Sequence, residues 1–188
     1  LDADDILQPD ALQWLLSAAE MHPGEIIYPA FFEDPETPGA FRVYETPDYD
    51  PELLIRRGAI HPVTALTPLA VWEAVGGYDE ALPCWEDWAF ALAAVDKGFC
   101  SRRLRAPLFT YRKWTGARRE ANQLDFERCK AAIIGRFGAF WDGRRSIMAC
   151  GCQSQRTVSP PEGAGYYAQN VAVPASATLV RYVGARQG

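Results

Sequence analysis

At 188 residues and 20.9 kDa the chain is the size of one ordinary domain, long enough to bury a sizeable core. Hydrophobic residues make up 48% and charged residues 23%, with 15 Gly and 14 Pro, a balance that excludes a disordered or low-complexity chain. The net charge of −5 argues against a nucleic-acid partner, and with no apolar run near the ~20 residues of a transmembrane segment and no basic-then-apolar leader, a soluble cytoplasmic protein is expected.

In chain order, Leu1-Asp2-Ala3-Asp4-Asp5 opens the sequence with three carboxylates and no Met, which reads as a fragment whose preceding strand would hold the acids. Pro9 fits a helix N1 position, and Leu12, Leu15, Leu16 and Ala19 recur at helical spacing until Pro23-Gly24. Ile26 to Phe32 reads as a buried strand, Asp34 to Pro38 and Thr46 to Pro51 as loops, and Phe41 to Tyr44 as a short strand. A short helix over Glu52 to Arg57 follows, then a strand over Val63 to Thr67 and a helix over Pro68 to Val75 stopped by Gly76-Gly77. Trp88, Leu92 and Val95 mark a helix from Trp85 to Lys97 with Glu86 and Asp87 in its first turn. Phe99 to Leu104 and Leu108 to Arg112 read as two strands around Pro107. Glu120 to Trp141 reads as an amphipathic helix with Leu124, Cys129, Ile133, Phe137 and Trp141 near one face. Residues 1–148 are expected to form the main unit, 149–165 a linker, and 166–188 a β-rich tail.

Charge is distributed in blocks. Seven basic groups fall between Arg102 and Arg119, whereas acids collect at Asp2 to Asp10, Glu33 to Asp50 and Asp79 to Asp87. Such blocks suit a site that handles a metal and an anion together, or else are solvated faces of opposite sign. Five cysteines at irregular spacing make no disulfide framework, so reduced thiols are the simpler expectation. Cys150-x-Cys152 has no second pair, and a closed zinc site would need Cys129 or an outside partner.

Two acidic clusters carry the chemistry. Asp2-x-Asp4 with Asp5 adjacent can take a hard divalent cation and leave coordination positions for water and phosphate oxygens. The same spacing also occurs in turns and caps. An EF-hand is excluded, since its Gly at position six and Glu at position twelve are absent. In the second cluster, a Gly76-Gly77-Tyr78-Asp79-Glu80 turn leads to Trp85-Glu86-Asp87-Trp88, which delivers a carboxylate pair to a helix N-terminus.

Together the acidic opening, the Val75-Gly76-Gly77-Tyr78-Asp79 turn, Glu86-Asp87-Trp88 and Tyr111-Arg112 resemble the C-terminal half of family 2 glycosyltransferases of GT-A fold, over roughly residues 1 to 120. The resemblance implies an α/β fold, a partial GT-A-like mixed sheet flanked by helices, with the nucleoside-binding half absent. It also implies inverting transfer of a sugar from a nucleotide-diphospho-sugar donor to a glycan or other hydroxyl acceptor. Asp4, with Asp2, would match the element that holds Mn²⁺ or Mg²⁺ on the diphosphate, and Asp87 the catalytic base, with Glu86 orienting the acceptor or the base. Arg112, Arg118 and Arg119 would clamp phosphate oxygens. His61, before Pro62, falls where family members line the acceptor side, and Trp85 would offer a face for sugar stacking. The chain departs from the family in Trp114, which stands where many members have histidine.

Each of these residues also has a structural reading: a lone histidine in the core, arginines in solvent, aromatic rings in packing. The second function considered is a non-catalytic carbohydrate-binding or assembly module on the same fold. A glycoside hydrolase with paired carboxylates accounts less well for an acidic metal motif coupled to an arginine-rich segment.

Overall fold

A computed structural model describes residues 1–35, 42–58, 61–113, 125–142 and 157–158. In chain order the elements are β1 (Ile6–Leu7), α1 (Ala11–Met21), β2 (Ile26–Pro35), β3 (Arg42–Tyr44), α2 (Pro51–Arg57), α3 (Leu69–Val75), α4 (Glu86–Asp96), β4 (Ser101–Lys113), α5 (Phe126–Trp141) and β5 (Thr157–Val158). The chain is mixed α/β, with a mixed sheet in the order β1-β4-β2-β3. β2 and β4 run parallel at its centre, while β1 on β4 and β3 on β2 are antiparallel. β5, inside the stretch expected to be a linker, pairs with Arg103 and Leu104 on β4.

Strand alternation divides the core between two faces. Ile27, Leu104, Ala106 and Leu108 meet α1 through Ala11, Leu15 and Ala18, whereas Tyr28 packs with Leu54, Leu92, Val95 and Ile133 on the opposite face. Ile26 joins that face through Val71 and Ala94. One helix therefore covers one side and α2 to α5 the other. The stripe that α1 buries is not the leucine pattern: Leu12 and Leu16 are 58% and 53% exposed. Ala11 and Ala18 let the helix axis approach the sheet closely, and the 11, 15, 18 spacing follows one helical face.

Two further expectations are corrected. The segments on either side of Pro107 are one strand, because the register shifts that would interrupt it are absorbed as bulges near Pro29, Ala30 and Pro107. Both prolines lack the N–H that a regular ladder would need, and a bulge is where a central strand tolerates that. Val63 to Thr67 is not a strand; it makes a turn and a single bridge, Ile27 to Leu66, with reciprocal backbone bonds of 3.0 and 2.8 Å.

The topology sets the position of the site. Because Ile6 pairs with Thr110 antiparallel, the residues before Ile6 run past the carboxyl end of β4. α4 precedes β4, so it runs back along the sheet and its N-terminus lies at that same carboxyl end. The residues of the acidic opening and the Glu86-Asp87 pair therefore come to the edge where open α/β sheets place their ligands.

Candidate functional site

Asp2 and Asp4 are exposed, while Asp5 beside them is 8% exposed. Its Oδ1 accepts the Arg112 backbone N–H at 3.2 Å, which ties the acidic opening to the end of β4. Burial pushes the Asp5 carboxyl up to about 6, against the lowering effect of that hydrogen bond, with Asp4 and Asp2 adding repulsion. Its Oδ2 is buried without a partner. Asp5 stands in the motif, but nothing in the sequence separates it from its two neighbours; only the pairing register buries it.

Glu86 and Asp87 open α4, where the helix dipole favours acids. The Asp87 Oδ1 accepts the Trp88 backbone N–H at 2.7 Å. Burial raises the Asp87 pKa, the Trp88 N–H opposes this, and the charges of Glu86 and then Asp2 raise it further. The same three charges, Asp87, Glu86 and Asp2, act on the Tyr78 phenol, whose pKa burial already raises. Asp2 thus lies within electrostatic reach of the α4 carboxylates although 85 positions separate it from Asp87.

Trp85 precedes the pair in the left-handed region, φ 61° and ψ 33°, and is the one non-glycine residue with positive φ among the described residues. An aromatic residue there costs on the order of 1–2 kcal/mol and is held only by its surroundings. Its ring packs against Trp88 at 5.7 Å and edge-on to Phe126 at 5.3 Å. Before it, Gly76 and Gly77 both have positive φ, and a Cβ on Gly77 would stand 3.0 Å from the Trp72 ring. This turn, with Phe90, Arg136 and Phe137, lines a cavity of about 250 Å³ whose carboxylates are Asp79 and Glu80.

The arrangement brings Asp2, Glu86 and Asp87 into one electrostatic environment and sets Arg112 beside Asp5. It places His61 elsewhere, half-buried, 4.7 Å from the Tyr28 ring and 6.0 Å from Tyr49, with Nε2 sealed off and unpartnered. Burial lowers its pKa to about 4. Arg118, Arg119 and Trp114 lie outside the described residues, as do Cys150 and Cys152.

The basic block is not a phosphate surface throughout. Arg102 makes a two-pronged pair with Glu25 at 2.6 and 2.9 Å, Arg103 bonds Glu45 and Asp48, and Arg105 lies 3.7 Å from Asp48. The expectation of reduced thiols is also corrected: Cys84 and Cys129 form a disulfide, and Cys100 is disulfide-bonded as well. Both 84 and 129 are buried, which brings sulfurs 45 residues apart within bonding range. Cys129 is therefore not available as the third ligand of a zinc site.

Among the described residues no group of three or more His, Cys, Asp or Glu side chains is placed to hold a metal ion. Asp2 and Asp4 supply two exposed carboxylates, a donor set that fits a hard cation whose remaining positions go to water and phosphate oxygens. No described helix is long and apolar enough to cross a membrane. No family model, curated protein or solved structure matches the chain.

Proposed function

We propose that the chain carries the metal, acceptor and base side of an inverting, metal-dependent glycosyltransferase of GT-A type. The observation that carries this reading is the convergence of Asp2 from the chain's opening with Glu86 and Asp87 from the N-terminus of α4, beyond the carboxyl ends of β2 and β4.

In this reaction the acceptor hydroxyl oxygen forms a bond to the anomeric carbon as the bond from that carbon to the diphosphate oxygen breaks. The hydroxyl proton passes to the Asp87 carboxylate, and the bonding pair leaves with the nucleoside diphosphate. A buried carboxylate with raised pKa is a stronger base than one in water, and placing it against the hydroxyl supplies much of the rate. Mn²⁺ or Mg²⁺, held by Asp2 and Asp4, would neutralise charge on the leaving diphosphate. Asp5 fixes those two carboxylates to β4 through the Arg112 amide, and Glu86 orients the acceptor or Asp87.

Titration of UDP and GDP into the chain with Mn²⁺ tests the donor side. Binding is expected to require the metal and to be lost in Asp4→Asn; binding indifferent to both would remove the metal assignment. On the base side, in a longer chain that includes the nucleoside-binding half, Asp87→Asn is expected to abolish transfer while nucleotide binding stays nearly intact, and retained transfer would remove Asp87 from its role.

A carbohydrate-binding module is favoured by one feature, the partly exposed aromatic pair Trp72 and Tyr78, 37% and 47% exposed, whose rings meet edge-on at 5.0 Å. It separates from the transferase by binding a glycan equally well in Asp4→Asn and in chelator. The Cys84–Cys129 bond weighs against the expected cytoplasmic location, since disulfides persist mainly in oxidising compartments.

A further inference from the structure

The loop from Gly76 to Trp85 carries the α4 carboxylates, and its internal ties are few. Gly76 and Gly77 N–H groups bond the Trp72 carbonyl at 2.9 and 3.1 Å, the Asp79 Oδ1 accepts the Ala81 N–H at 3.1 Å, and the Asp79 backbone carbonyl accepts the Leu82 N–H at 3.0 Å. Two longer ties reach α5. Cys84 is bonded to Cys129, and the Asp79 Oδ2 meets Arg136 at 2.6 Å. Cys129 and Arg136 are seven residues apart, two turns of one helix, so both project from the same face, with buried Ile133 between them. The covalent tie ends one residue before Trp85, whose left-handed backbone would relax if released.

We propose that α5 is a clamp that holds the Gly76–Trp85 loop, and through it Glu86 and Asp87, in place opposite Asp2, with Cys129 and Arg136 as its positioning residues. The two ties divide the task. The ion pair fixes the glycine turn at one end of the loop, and the disulfide fixes the end that enters α4. Removing one lets the loop pivot about the other, so the carboxylates lose their position while the sheet and its core stay intact. Arg136 is 61% exposed at its side chain and Asp79 22%, which makes the ion pair the weaker tie.

This inference rests on the transferase reading for its purpose but not for its test. Amide hydrogen exchange in the absence of any ligand compares wild type with Arg136→Gln, Arg136→Lys and Cys84→Ala/Cys129→Ala. The amides of Ala81, Leu82 and Ala89 report the loop and the first bond of α4; those of Ile27 and Leu66, bonded across the sheet, report the whole molecule. Arg136→Gln is expected to speed the loop amides by roughly fivefold with Ile27 and Leu66 unchanged. Arg136→Lys should recover most of that, and the cysteine pair should speed the loop amides beyond any change at Ile27 and Leu66. Loop amides unmoved in both variants, or moving only in step with Ile27 and Leu66, would overturn the clamp. If the loop loosens as expected and UDP and GDP binding proves indifferent to Mn²⁺ and to Asp4→Asn, the transferase reading loses its metal site and the clamp stands.

Discussion

Asp87 and His61 show the same force, burial, acting on groups of opposite charge type. For Asp87 it disfavours the anion and raises the pKa, so the base becomes active only above the pH where an ordinary carboxylate, near 3.9, would ionise. The acid limb of kcat/KM for transfer is therefore expected above the ordinary carboxylate range, and a limb within that range would show that Asp87 is not the titrating base. For His61 burial disfavours the cation. Its folded pKa, about 4, lies below the ordinary value of 6.5, so between those two values the unfolded chain binds a proton that the native state refuses. Stability contributed by this site is full above pH 6.5, falls as pH drops toward 4, and then levels off; the loss is on the order of 3 kcal/mol. Urea unfolding at pH 7 and 4.5 checks it: His61→Phe should show a smaller fall than wild type, and equal falls would place the proton elsewhere. Neither shift is legible in the sequence. A lone histidine is more often structural than acceptor lining, and its shift comes from the fold that sets it beside the rings of Tyr28 and Tyr49.

At the scale of elements, most helices and the central strands announce themselves by periodicity, and the departures have identifiable causes. Of the residues that recur at helical spacing in α1, Leu15 is buried while Leu12 and Leu16 are exposed, because the sheet takes the face where Ala11 and Ala18 allow close approach. Val63 to Thr67 has strand composition, yet it meets the sheet through a single bridge, Ile27 to Leu66. The Gly76-Gly77 stop is legible both as a helix end and as part of the acidic motif, and the structure gives it a third constraint, the Trp72 ring. Gly77→Ala adds a Cβ at 3.0 Å from that ring on a backbone of φ +78°, so it is expected to destabilise by about 1–2 kcal/mol. Gly76→Ala meets nothing within 4 Å and bears only the backbone cost, about 1 kcal/mol. Thermal unfolding of the two variants checks the order, and equal losses would mean that the Trp72 ring moves aside freely.

The whole molecule depends on a parallel pair, β2 with β4, whose strands are separated in sequence by residues 36–100. Closing so long a crossover costs loop entropy before any pairing is gained. At the start of both strands Glu25 and Arg102, 77 positions apart, form the two-pronged pair, with side chains only 15% and 7% exposed. The basic block that holds Arg102 looks in sequence like an anion site, because opposite charges far apart in a chain carry no mark of their pairing. The block's first three arginines pair with Glu25, Glu45 and Asp48, while Arg112 meets the acidic edge through its backbone N–H on Asp5. A buried pair of this kind is worth little over an apolar replacement, but half of it is costly. Glu25→Gln should therefore lose about 3 kcal/mol by leaving the Arg102 guanidinium buried without its counterion, whereas Glu25→Leu/Arg102→Met should recover most of the loss. Urea midpoints of the three proteins measure both steps. If the double variant is as unstable as Glu25→Gln, the pair contributes more than mutual neutralisation and the register of the central strands depends on its geometry. If Glu25→Gln loses less than about 1 kcal/mol, water reaches Arg102 and the pair belongs with surface ion pairs.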